Sequence, residues 1–232
     1  MAVEETGSDH VFLKKRGLTP FLVLELSLAF AGAAFAQHGE QHFHRSFEDA
    51  AKWSKEFDDP ARDAWQKPAE VITALRLGPD ATVADIGSGT GYFAVRLARA
   101  VPEGRVYGAD VAPAMVKFLS ERAAKEGLTN LQSIRAAEDS PKLPAPVDLV
   151  LVVDTYHHIA RRSSYFIKLK ERLRPGGRVA IIDFRLDSPT GPPAKHRIAP
   201  EKVAEEMAFA GYRLLESHGF LPNQYFLVFA PR

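Results

Sequence analysis

From residue 81 onward the chain alternates two hydrophobic patterns. Short apolar runs bounded by turn residues predict strands at Thr82–Ile86, Arg105–Ala109, Leu131–Arg135, Val147–Val153, Arg178–Phe184, Tyr212–His218 and Gln224–Phe229. Segments with helical spacing lie between them, at Gly91–Val101, Pro113–Glu126, Arg162–Leu173 and Pro200–Ala210. Gly127 and Gly211 stand just past two of these helices, where a left-handed residue ends a helix. Val147–Val153 and Val179–Ile182 are apolar without alternation, as central strands covered on both faces must be. The pattern predicts an α/β, doubly wound seven-stranded sheet, mostly parallel, with helices on both faces. The last two strands, joined by the short turn 219–223, form an antiparallel hairpin at one edge. Ligands of such a sheet bind at the carboxyl ends of its strands.

Ahead of residue 81 the pattern is helical and broken by prolines. Ser46 is an expected N-cap for a first helix carrying Trp53 and Phe57 on one face. Asp59-Pro60 starts a short helix through Trp65, and Pro68 starts another to Leu75. Residues 46–77 therefore read as a helical lid, with the aromatic stretch 53–66 across the ligand end of the sheet, and 78–232 as the domain that holds the sheet. Further upstream, Lys14-Lys15-Arg16 precedes an apolar run from Leu18 to Phe35 that ends in Ala34-Phe35-Ala36. A basic, apolar, small-x-small succession is a signal-peptide pattern, so residues 1–36 are expected to direct export to the periplasm or outside. Glu25 interrupts the run; an uncleaved membrane anchor and a cytoplasmic chain are the alternatives. Residues 37–45 hold His38, His42 and His44 and read as a polar linker rather than a metal site.

Composition narrows the classes. Lys and Arg total 30 against 29 acids, so no basic excess points to nucleic acid. There is no cysteine, which excludes disulfides, thiolate zinc sites and a cysteine nucleophile.

The candidate chemistry begins at Asp85-Ile86-Gly87-Ser88-Gly89-Thr90-Gly91, where the first strand meets a glycine-rich turn and a helix start. Glycine reaches positive φ and leaves room for a ligand against the backbone. The dinucleotide fingerprint requires its third glycine where this chain has Tyr92, so a nicotinamide-dependent oxidoreductase is the weaker reading. The spacing instead resembles the first motif of class I S-adenosylmethionine-dependent methyltransferases, which have a Rossmann-like fold. Three more segments resemble that family in order: Val106–Asp110, Asp148–Asp154, and Leu173–Arg178 as the turn before the fifth strand. The small-molecule subgroup resembling the ubiquinone and menaquinone methyltransferases is the nearest.

The resemblance implies S-adenosylmethionine as cofactor and places Gly87, Ser88, Gly89 and Gly91 along its methionine portion. Asp85 would orient the loop and reach the amino group. Asp110 would hold the ribose, with Val111 beside the adenine, and Ala137 and Glu138 would border the adenine. The family often has an Asp where this chain has Ala136, so either Glu138 or Asp139 replaces it or adenine is held by backbone and packing. Asp154 would sit near the sulfonium. The stretch after it, Tyr156-His157-His158, would floor the transferred methyl and supply the catalytic candidates. Methyl transfer mainly requires alignment and exclusion of water, and a histidine serves as base where the nucleophile must lose a proton. At most one of the two histidines is expected in the pocket; the alternative is that one packs against the helix 162–173 and the other caps it. His196-Arg197 in the loop 188–199 is a lesser candidate for an anionic substrate. The implied partner is a small-molecule methyl acceptor, with no nucleic acid, no metal and no lasting membrane association once the signal is removed. The absence of cysteine argues against thiol-based arsenic methylation. A binding protein that keeps the fold without turnover is the alternative.

Overall fold

The predicted strands form one sheet in the computed structural model, which describes residues 49–232. In chain order the strands are β1 (Thr82–Ile86), β2 (Arg105–Asp110), β3 (Leu131–Arg135), β4 (Val147–Val153), β5 (Leu173–Phe184), β6 (Tyr212–His218) and β7 (Gln224–Pro231). The sheet has seven strands in the order β3-β2-β1-β4-β5-β7-β6. β3, β2, β1, β4 and β5 run parallel, while β7 is antiparallel to both β5 and β6. Helices α1 (Ala50–Phe57), α2 (Asp63–Gln66), α3 (Pro68–Leu75), α4 (Tyr92–Ala100), α5 (Pro113–Lys125), α6 (Arg162–Lys170) and α7 (Pro200–Phe209) complete the fold.

Two cores sandwich the sheet. On one face Val83, Leu149, Leu151, Ala180, Phe226 and Val228 pack with α3 and α4 residues such as Leu75 and Leu97. On the other, Ala84, Val150, Val152, Ile181, Leu227 and Phe229 pack with Phe166 of α6 and Met207 of α7. Every residue of β1 is buried, and β4 is buried at all but its second residue. This accounts for their unalternating sequence: side chains of both parities find apolar partners. β3 and β6, the sheet edges, carry exposed residues along their length.

Two local expectations are corrected. The first helix starts at Ala50, capped by Asp49, whose side chain accepts the Lys52 N–H at 2.9 Å. Ser46, the expected cap, lies outside the described residues, as do the linker histidines and the signal-like segment. The turn expected at Leu173–Arg178 belongs to β5 instead. Leu173 pairs with Val147, and Arg178 resumes pairing at Leu149, so Pro175-Gly176-Gly177 bulges out between. Gly176 takes φ +80°, which a side chain would resist.

Segment 50–66 is tied to the body of the fold by charged contacts. Asp58 meets Arg122 of α5 at 2.8 Å, and Asp63 meets Arg96 of α4 at 3.0 Å and the Tyr92 hydroxyl. Trp53 stacks on Phe57 with ring centroids 5.2 Å apart.

Candidate active site

The loop from β1 to α4 is a rigid shelf. The amides of Gly87 and Ser88 both donate to Ala109 O at the end of β2, at 2.8 and 3.2 Å. Gly89 N donates to Asp110 Oδ2 at 2.9 Å, and Gly91 N to Ser88 O at 2.9 Å. The amides of Gly87, Ser88, Gly89 and Gly91 are therefore occupied within the fold. All three glycines take positive φ, but they differ in what a Cβ would meet. At Gly87 it would strike Thr155 and at Gly91 Leu119, each within 2.4 Å. Those two glycines serve close packing. At Gly89 the first neighbour is the Phe57 ring at 3.5 Å, so this is the glycine that segment 50–66 covers.

The carboxyl edge of the sheet collects acids from adjacent strands. Asp85 is 3% exposed and accepts a backbone bond from Ala94 in α4. Burial, only partly offset by the Arg62 guanidinium, pushes its pKa up to about 7. Asp110 ends β2; its Oδ1 accepts Ala112 N–H at 2.8 Å while its Oδ2 holds Gly89. Burial raises its pKa as well, against these backbone bonds. Asp154 follows β4 in the left-handed region, at φ 54°, and its carboxyl is also pushed up to about 7, by burial. It accepts from Arg62 at 3.2 Å and from Gln224 of β7.

Arg62 is the residue the sequence did not reveal. It lies in the 3-10 turn Pro60–Arg62, capped by Asp59. Its guanidinium sits 4.1 Å from the centre of the Tyr92 ring and donates to Phe57 O and Asp154. Its charge is the strongest influence favouring ionisation of both Asp85 and Asp154. Gln66 extends the same contact by donating to Gln224 Oε1 at 2.7 Å.

The candidates after β4 part company. Tyr156 is fully buried, and its hydroxyl donates to Glu206 Oε2 of α7 at 2.7 Å, a carboxylate also held by Arg162. That corrects its reading as a catalytic residue: it is an element of the α6–α7 packing. His157 turns inward, with Nδ1 at 2.9 Å from Asp183 Oδ2 and both side chains at most 3% exposed. Burial opposes the charged imidazole, but the hydrogen bond and charge of Asp183 outweigh it, and its pKa is raised. With Asp183 accepting from Nδ1–H, Nε2 is left as the basic nitrogen. His158 lies beside it, rings 4.1 Å apart, rather than on an opposing side.

The remaining candidates are dispersed. Val111 is exposed at 47% next to Asp110. Ala136 N donates to Asp110 O at 2.9 Å, so the β3 end reaches the same edge. Ala137 exchanges backbone bonds with Ser140, and Glu138 is exposed. Asp139, one of the replacements considered for an adenine-binding acid, is paired with Lys168 at 2.6 Å. Arg197 is corrected: its guanidinium binds the carbonyls of Arg185, Leu186, Ser188, Thr190 and Pro192, which fixes the loop after β5 and leaves it unsuited to an anion.

The residues fit an adenosyl cofactor. Ser88 and Thr90, in the loop itself, carry buried hydroxyls without hydrogen-bond partners among the described residues. A strand-end carboxylate suited to a diol stands beside an exposed apolar residue suited to a base. Buried acids with a single arginine between them suit a ligand that brings both cationic groups and a carboxylate.

Comparison with known proteins gives the same answer. A methyltransferase-domain model matches residues 83–177. The chain is 33% identical over 116 residues to the arsenite methyltransferase of Halobacterium salinarum, covering 49% of this chain and 29% of that protein. It is 32% identical over 124 residues to the demethylmenaquinone methyltransferase of Thermus thermophilus, covering 52% of this chain and 54% of that one. The chain thus spans about half, or less, of the length of these curated relatives. A crystal structure of a SAM-dependent methyltransferase from Aquifex aeolicus superposes with TM-score 0.72 at 28% identity, covering 78% of this chain and 97% of that one. The matched region holds the loop, Asp110 and the strand-four end described above, and residues 83–177 form a methyltransferase domain similar to those of S-adenosylmethionine-dependent enzymes.

Proposed function

We propose that the protein transfers a methyl group from S-adenosylmethionine to a small-molecule acceptor by direct displacement. The carrying observation is the row of carboxylates at the ends of neighbouring strands, buried Asp110 of β2, Asp85 of β1 and Asp183 of β5 with part-buried Asp154 just after β4, beside a glycine shelf whose Ser88 and Thr90 hydroxyls have no partner among the described residues. When bound, the cofactor supplies an electrophilic methyl on a sulfonium, already a good leaving group. The protein's part is to hold, orient and dry the reactants. In this reading Asp110 holds the ribose hydroxyls and Val111 flanks the adenine, with Ala137 and Glu138 at its border. Ser88 and Thr90 hydroxyls, with Gly87, Gly89 and Gly91 shaping the shelf, take the methionine portion. Asp85 and Asp154 face its cationic groups, and Arg62 is placed to meet its carboxylate. Segment 50–66 is the lid that excludes water. His157, fixed by Asp183, takes the proton of an acceptor that must lose one; His158 lines the same floor.

Calorimetric titration with S-adenosylmethionine, S-adenosylhomocysteine and NADH tests this. Micromolar binding of the adenosyl ligands is expected; their failure to bind, or tighter NADH binding, overturns it. We further propose that residues 1–36 direct export, a reading supported by the basic cluster ahead of an apolar run. N-terminal sequencing of the native protein should begin near Gln37.

A further inference from the structure

Gln224 and Tyr225 open β7, and because β7 is antiparallel they lie level with the carboxyl ends of the parallel strands. Their register partners on β5 are Phe184 and Asp183. Consecutive strand residues face opposite sides of a sheet. Gln224 turns to the face where it meets Gln66 and Asp154. Tyr225 turns to the other, the face of its partner Asp183, which holds His157.

Tyr225 is 6% exposed, and its hydroxyl has no hydrogen-bond partner among the described residues. Asp183, Asp154 and Arg162 lie close enough to act on it electrostatically, yet it bonds to none of them. A buried O–H is ordinarily paired, so an orphan beside a histidine–carboxylate pair awaits a ligand. The sheet order says which one. β7 stands three strands from β1, roughly 14 Å at about 4.8 Å per strand, with Asp154 and His157 in between. The cofactor shelf lies at β1 and β2, so Tyr225 belongs to the acceptor's end of the edge.

We propose that Tyr225 binds the acceptor's nucleophilic atom and selects oxygen. This rests on the methyl-transfer reading above. A hydroxyl oxygen has two lone pairs, one to accept the Tyr225 O–H and one to attack. An amine nitrogen has one, which attack consumes, so it cannot also accept from Tyr225. The acceptor oxygen bonds the methyl carbon as the carbon–sulfur bond breaks with its electron pair passing to sulfur, and the hydroxyl proton passes to His157. Burial keeps the Tyr225 phenol protonated far above neutral pH, which fixes it as a donor.

The test is methyl transfer from S-adenosylmethionine to 4-fluorophenol and 4-fluoroaniline by the full-length chain, with 4-fluorophenol binding to the chain saturated with S-adenosylhomocysteine, both read by fluorine NMR. Tyr225→Phe should weaken 4-fluorophenol binding about tenfold or more, because the site loses a donor to the hydroxyl. It should leave any transfer to 4-fluoroaniline and the S-adenosylhomocysteine affinity unchanged, and keep or raise Tm, since an orphan hydroxyl is removed. The proposal is overturned by equal phenol affinity in the two proteins, by an equal loss of transfer to the aniline, by no phenol binding to the wild type, or by a fall in Tm beyond about 5 °C. Failure of S-adenosylhomocysteine itself to bind would overturn the methyltransferase reading instead, so the two are distinguishable.

Discussion

The two edges of the sheet treat charge in opposite ways. At the amino edge, Asp148 of β4 accepts Thr82 N–H and Arg174, both at 2.8 Å, with the two charged side chains about 40% exposed. Water solvates both partners, so the pair contributes little and perturbs little. At the carboxyl edge, Asp85, Asp110 and Asp183 are each at most 9% exposed. Their counter-charges come from far along the chain, Arg62 for the first and His157 for the last. Burial makes Asp85 and Asp110 costly to ionise, and Arg62 offsets only part of that cost at Asp85. One sheet thus carries a solvated charged edge and a buried charged edge.

The sharpest way to break this contrast is to remove the carboxyl edge's cation. Arg62→Ala removes the cation that acts on both Asp85 and Asp154 and should lower stability by about 2–3 kcal/mol at pH 8, measured by urea denaturation. The loss should shrink at pH 6, because carboxyls with pKa values near 7 take up protons instead. Next comes Asp110. Asp110→Ala deprives Gly89 and Ala112 amides of their acceptor, so it should cost about 1–3 kcal/mol in stability besides weakening cofactor binding. Asp110→Asn spares an acceptor oxygen and is the cleaner probe; calorimetry should show S-adenosylmethionine bound about tenfold or more weakly.

The pH dependence sharpens the comparison further. Asp85 ionises near pH 7 in the folded chain and near 3.8 when unfolded. The free protein therefore holds an extra proton in that window, and the contribution to its stability is lost as pH rises through 7. A cationic ligand favours the ionised form, so S-adenosylmethionine binding should tighten about tenfold from pH 6 to pH 8 and release protons. Calorimetry in buffers of different ionisation enthalpy measures both; Asp85→Asn should flatten the profile. The smallest effect belongs to the amino edge. Arg174→Ala should change stability by about 0.5 kcal/mol or less and leave cofactor binding untouched.

Local chemistry made the scaffold readable. Unbroken apolar runs marked β1 and β4, Asp59-Pro60 and Pro68 marked two helix starts, and Gly127 and Gly211 two helix ends. Each signal acts within a few residues of where it is written. The glycine shelf and the acid at the end of β2 were legible for the same reason, since a strand–turn–helix unit dictates its own backbone. The Pro-Gly-Gly bulge was misread as a turn because pairing of Leu173 with Val147 depends on a neighbouring strand.

The sequence by itself therefore determined the strands, the shelf and the family chemistry they resemble. Tertiary structure alone decided which polar groups are paired. Arg62 meets Asp154 across 92 residues, Gln66 meets Gln224 across 158, and Tyr156 meets Glu206 across 50. Tyr156 and His157 are neighbours in sequence and equally plausible on it, yet one is captured by α7 and the other by Asp183. No local rule separates them, because a side chain's partner is set by where distant strands and helices stop. Tyr225 was likewise legible only as a residue of the last hairpin. That its hydroxyl is left without a partner beside the His157–Asp183 pair follows from β7 inserting next to β5, which packing of the whole sheet decides.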